Sequence, residues 1–179
     1  MTNQSITRIQ RISKRFRMLF TALIFFIPLA DLLFWISFNH LHDEFLTGLP
    51  IIPSQDPTPL FLALGFIASL IPVTVAIYGL LTLSRLFKLY ENAIVFAHEN
   101  VRLIRKLGYV IIAWVVANLL FTPLISAVIT HGNEGGLPTI AVFLSISDLL
   151  TLIMGAIVVL ISWVMDEGRK LQDEQAHTV

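Results

Sequence analysis

The sequence predicts an all-α polytopic membrane protein, with four transmembrane helices in an up-down bundle and helices 2 and 4 extending into the cytoplasm. Three observations carry this. Only 13% of the 179 residues are charged and 56% are hydrophobic, where a soluble domain carries about 25% charged residues. Four long runs are almost free of charge. Every Lys and Arg falls in the segments that flank those runs on one side.

The runs are Met18 to Phe38, charged only at Asp31; Leu60 to Ser84 and Leu107 to Thr130, with no charge; and Leu137 to Met165, charged only at Asp148. Each reaches the roughly 20 residues needed to cross a hydrocarbon core about 30 Å thick. Lipid offers backbone groups no partner, and four isolated segments cannot close a barrel, so the runs are helices. The helices are expected at about 16–38, 59–90, 98–130 and 138–174 within one four-span domain covering 1–179. The first run is too long for the apolar part of a signal peptide, and no small-residue cleavage pattern follows it, so it reads as a retained span.

Arg8, Arg11, Lys14, Arg15 and Arg17 precede helix 1. Arg85, Lys88, Arg102, Arg105 and Lys106 lie between the second and third runs, and Arg169 and Lys170 follow the fourth. The other two connections hold none. The positive-inside rule therefore puts both termini and the helix 2–3 connection in the cytoplasm.

In the N-terminal segment 5–17, Ile6, Ile9, Ile12 and Phe16 share one helical face among basic residues. Such a segment suits the headgroup layer of an anionic bilayer. The helix 2–3 connection should end helix 2 near Tyr90, with Asn92 in the left-handed conformation. It should begin helix 3 near Ala97–Glu99, with Glu99 at the positive helix end. Its basic residues read either as a headgroup anchor or as a docking surface for a cytoplasmic partner. The acidic tail after Met165 is expected to pack beneath it, with Leu171 against its apolar face.

The tract "FAHENVRLIRKLG" and the tail "MDEGRKLQDEQAHTV" resemble the two signature regions of the DUF2975 family, small bacterial membrane proteins of unknown function with four predicted helices. The matching residues are Phe96, Glu99, Asn100, Val101, Arg105 and Gly108, then Gly168, Leu171, Glu174, Thr178 and Val179. With Arg102 they form the expected cytoplasmic interaction surface. Ala97 stands where the family usually has Ser or Thr, so a side-chain cap for helix 3 must come from elsewhere. His177 stands where it usually has Leu. The resemblance implies a bacterial inner-membrane location. It also implies association with a small helix-turn-helix regulator, and hence membrane-linked regulation.

Inside the membrane, Asp31, Thr74, Asn118 and Asp148 form a candidate polar cluster. At about 1.5 Å per residue, the first three lie roughly 21, 16 and 18 Å from the basic residue bounding their helix. Two readings are open for the acids: interhelical hydrogen bonds that fix the bundle, or a proton or cation site. A stripe of small and polar residues, Ser145, Asp148, Gly155, Ser162 and Asp166, marks a helix-packing seam on helix 4. On the outer side, His40, His42, Asp43, Glu44 and His131 are metal-capable residue types, but no spacing motif supports a site.

There is no Cys, which excludes disulfides and thiol chemistry. No metalloprotease, nucleophile-elbow, P-loop or dinucleotide motif is present. The leading expectation is a non-enzymatic inner-membrane accessory or regulatory protein without a cofactor. Its partners would be the lipid bilayer and either a cytoplasmic regulator or a second copy of itself, with no direct nucleic-acid contact. The alternative is a small proton or cation conductor using Asp31 and Asp148.

Overall fold

The structure, a computed structural model, describes residues 3–41, 56–95, 97–131 and 140–176, with side chains from residue 6 to residue 171. It has four long α-helices: α1 (Asn3–Ser37), α2 (Pro59–Glu91), α3 (His98–Ile129) and α4 (Ile146–Ala176). A 3-10 turn, Phe38–His40, follows α1, and there is no strand among the described residues. All four helices are long and apolar enough to cross a membrane. At 31 to 35 residues they exceed what one crossing demands, so each tilts or continues beyond the hydrocarbon. The basic segment 5–17 and the first apolar run form one uninterrupted helix. Pro28, Pro72 and Pro123 sit inside α1, α2 and α3 without ending them.

The helices pack in chain order, α1 on α2, α2 on α3 and α3 on α4. Arg17 meets Glu91 near one end of the α1–α2 pair, and Trp35 meets Ser69 near the other. The end of α1 thus lies beside the beginning of α2.

Where these helices meet, many of the buried residues are small: Gly65, Ala68, Ser69, Gly79, Thr82, Gly108, Gly155 and Ser162. The large apolar side chains point outward, among them Phe25 (74% exposed) and Ile146 (80%). This inversion of a soluble fold has a direct cause. Lipid tails solvate Leu and Phe as well as a protein core does, so helices associate by close backbone approach and van der Waals contact. Larger side chains are buried as well, among them Leu86, Leu103, Val115 and Val159, and an aromatic cluster lies at the far end of the α1–α2 pair. There Trp35 stacks on Phe38 with ring centres 5.4 Å apart, and Ile125 and Ile129 of α3 complete it. Gly65 lies under the Trp35 ring, so close that a β-carbon there would collide with it.

The end of α2 corrects one expectation. Ala93, not Asn92, takes the left-handed conformation, with φ 60°, while Asn92 has φ −87°. The Ile94 N–H donates to the Leu89 carbonyl at 2.9 Å and the Ala93 N–H to the Tyr90 carbonyl at 3.0 Å. This paired closure needs its left-handed residue one place beyond the cap. An Ala there pays a steric cost that Gly escapes. Ala93→Gly is therefore expected to stabilise the protein by about 1 kcal/mol, read as a higher unfolding midpoint in mild detergent. An unchanged or lower midpoint would show that the turn is not strained.

Candidate functional site

The basic ends of the helices converge. Arg17 of α1 grips Glu91 of α2, with Nε 2.8 Å from Oε2 and Nη2 3.4 Å from Oε1. Beside this pair, the rings of Phe16, Phe20, Phe87 and Tyr90 pack with centres 5.3 to 5.9 Å apart.

From the turn after α2, the chain is tied to α3 by Asn100. This residue is 1% exposed. Its amide nitrogen donates to the carbonyls of Ile94 and Val95, both at 2.8 Å. Its own Oδ1 is buried with no hydrogen-bond partner among the described residues. Ala97 is the N-cap of α3 and has no side-chain cap bond. Asn100 takes over the anchoring, binding the orphan carbonyls of the turn rather than the first helix N–H groups. Two N–H donors on one planar amide suit two adjacent carbonyls.

One turn further on, Arg105 reaches α4. Its Nη2 donates to Asp166 Oδ2 at 3.0 Å, and its Nε lies 3.3 Å from Ser162 Oγ. His98 Nδ1 lies 3.3 Å from Asp166 Oδ1 and 3.3 Å from Arg169 Nη2. The beginning of the tail therefore touches the beginning of α3 through charge. Leu171 is not part of that contact: it is 54% exposed, a correction to the expected apolar packing. Ser162 and Asp166 of α4 meet Arg105 of α3, while Leu171 faces outward.

Arg105 and Asp166 can meet because the backbones do. A β-carbon on Gly108 would lie 2.6 Å from Val159 Cγ2 and 3.0 Å from the Gly155 carbonyl oxygen; one on Gly155 would lie 2.8 Å from Ile112 Cγ1. Gly108, Gly155 and Ser162 thus form the α3–α4 seam, and Asp166 continues it. Gly168, the signature glycine of the tail, has nothing within 4 Å of where a β-carbon would stand.

The expected interaction surface thus divides. Asn100, Val101 and Gly108 are buried and serve as its scaffold. Arg105 is half-buried and committed to Asp166. Glu99, Arg102, Gly168 and Leu171 are exposed. Phe96, Thr178, Val179 and the side chain of Glu174 lie outside the described residues.

The four intramembrane polar residues do not form one hydrogen-bonded group among the described residues. Asp31 Oδ2 accepts from Ser69 Oγ at 2.8 Å, and Ser69 Oγ accepts from Trp35 Nε1 at 3.1 Å. This chain joins α1 to α2. Asn118 donates to the Trp114 carbonyl of its own helix at 2.8 Å, and Thr74 is exposed.

Asp148 is a helix cap. Residues 141–145 are not helical, and α4 begins at Ile146, not near 138. Asp148 Oδ2 accepts from the Ser145 N–H at 2.8 Å and from Ser145 Oγ at 2.8 Å, while the Asp148 N–H lies 3.1 Å from Ser145 Oγ. That is a reciprocal capping box, and its signal, Ser-x-x-Asp in "SISD", was present in the sequence. The apolar run around it masks the start of the helix. Nearby, Ser126 of α3 is fully buried, and its Oγ accepts from the Ala141 N–H at 2.9 Å, holding the approach to α4.

A crevice of about 480 Å³ lies where the helices meet, lined from all four by Ile27, Gly79, Leu83, Leu107 and Val158 among others, with no polar side chain in its wall. On the far side, the His131 ring packs 4.6 Å from that of Phe61. No three His, Asp or Glu side chains come together among the described residues. His42, Asp43 and Glu44 lie outside them.

Four long apolar helices, joined at small-residue seams and clasped by ion pairs at their basic ends, define a multi-pass helical membrane protein. The chain belongs to the DUF2975 family, described as proteins of unknown function, whose model matches residues 30–179. The basic beginning of α1 precedes the matched region. No curated protein and no solved structure matches the chain.

Proposed function

We propose that this is a non-enzymatic accessory or regulatory protein of the bacterial inner membrane. Its four helices form an up-down bundle with both termini in the cytoplasm. It works through the α2–α3 connection and the C-terminal tail. One observation carries the reading: the three segments that hold all the Lys and Arg are stitched together by Arg17–Glu91 and Arg105–Asp166, with Asn100 bracing the turn between them. A mere headgroup anchor needs basic side chains but no such bracing. A rigid platform that presents the exposed Glu99 and Arg102 to a partner does need it. Conduction has less support, since Asp31 and Asp148 have separate partners and the crevice between the helices is apolar.

Two measurements test this. Single Cys residues at 45, 55 and 134 should react with an impermeant thiol reagent in intact cells, and those at 3, 95 and 175 should not; the chain's lack of native Cys keeps the background clean. Labelling at 95 but not at 55 reverses the orientation. In mild-detergent affinity purification, the Glu99→Arg/Arg102→Glu double variant should lose a partner that Asp31→Asn and Asp148→Asn both keep. Proton flux in liposomes that Asp31→Asn abolishes would instead establish the conductor.

A further inference from the structure

We propose that the outer groove between α2 and α3 is a specific site for an anionic phospholipid, with the acyl chain along the groove and the phosphate at Lys106. The groove encloses about 380 Å³, inside the range of roughly 300–1,000 Å³ typical of ligand pockets. Thr74 and Tyr78 line it from α2, and Lys106, Tyr109, Val110 and Ala113 from α3. Its chemistry is graded. Lys106 stands at the last basic position before the charge-free run of α3, and Tyr109 and Tyr78 line the same groove. Beyond them the walls are apolar apart from Thr74.

The polar groups at this mouth have no other occupation. Lys106, Tyr78 and Tyr109 make no side-chain hydrogen bond or ion pair with any described residue. The neighbouring Arg105 is engaged by Asp166. An ammonium and two phenols at the edge of the hydrocarbon match a phosphate and its ester oxygens, and tyrosines prefer that depth. Next to the groove, Gly79 lets α2 approach Val110 of α3 closely, where a β-carbon would lie 2.9 Å from Val110 Cγ1. A phospholipid brings both complementary halves, anion and acyl chain, in one molecule already at that depth.

The test is native mass spectrometry of the intact protein in mild detergent, with phosphatidylglycerol and phosphatidylcholine supplied in equal amounts. The native protein should retain phosphatidylglycerol about five-fold better, the effect expected of one basic residue at an anionic headgroup. Lys106→Ala and Lys106→Gln should bring the ratio to about one. Ala113→Trp, which fills the groove, should remove retained lipid of both kinds. Lys88→Ala, an exposed cation away from the groove, should change nothing. Circular dichroism and elution volume confirm that each variant is folded. Equal retention of the two lipids by the native protein overturns the proposal, as does a loss with Lys88→Ala equal to that with Lys106→Ala. A lipid-free dimer that Ala113→Trp splits would assign the groove to a second copy and also overturn it.

Discussion

Gly108→Leu is expected to separate α3 from α4. The first carbon of any side chain at 108 meets Val159 Cγ2 at 2.6 Å, and the Gly155 oxygen and Val159 nitrogen at 3.0 Å. Two of these are backbone atoms of a helix and cannot rotate away, and the third belongs to a β-branched side chain with one favoured rotamer in a helix. Overpacking of this kind costs about 1–3 kcal/mol when the neighbours can adjust. Here adjustment means moving a helix, so Gly108→Ala should fall in that range and Gly108→Leu at or above its upper end. The separation also pulls Arg105 from Asp166. The check is the unfolding midpoint in mixed micelles. Gly168→Ala is the control. Nothing surrounds that position, so helix propensity alone should raise stability by about 0.5–1 kcal/mol. Equal losses at 108 and 168 would mean that the seam is not where the helices touch.

Asn100→Leu should be the most damaging single change in the connection. It strips the donors from two carbonyls, Ile94 and Val95, and each lost hydrogen bond is worth about 0.5–1.5 kcal/mol. Their sum is about 1–3 kcal/mol. Asn100→Asp should be no better, because a carboxylate in place of the amide faces two carbonyl oxygens. The expected readout is local: faster proteolysis at 92–97 and faster amide exchange at Ile94, with α1 and α2 still paired through Trp35 and Ser69. Native protease resistance in Asn100→Leu would show that the turn is held by other contacts. Both predictions concern family-signature residues, and both are about architecture. The exposed signature residues Glu99 and Gly168 have no comparable structural duty, which is why the partner test is aimed at the exposed charges.

The number and type of elements were legible in the sequence because they rest on one strong term. A chain segment in lipid has no water to bond its backbone, so about 20 apolar residues in a row must be a helix. The end of α2 at Glu91 and the start of α3 at His98 fell within a residue or two of expectation, although the left-handed residue is Ala93 rather than Asn92 and Ala97 gives α3 no side-chain cap. Part of the seam on α4 could also be read, because Gly155, Ser162 and Asp166 follow helical spacing and small residues mark close packing.

Only the tertiary structure decided what each polar side chain faces. Asp31, Thr74 and Asn118 share a depth when counted along their helices, but depth is one coordinate of three. Rotation about each helix axis and the order of packing set the others. The chain-order packing of α1 to α4 gives Asp31 a partner on α2, while the capping box turns Asp148 back on its own helix. Asn100 gave the same lesson from the other direction. Its amide binds two carbonyls, of Ile94 and Val95, that follow the Ala93 turn, and nothing in the spacing of the sequence announces that contact.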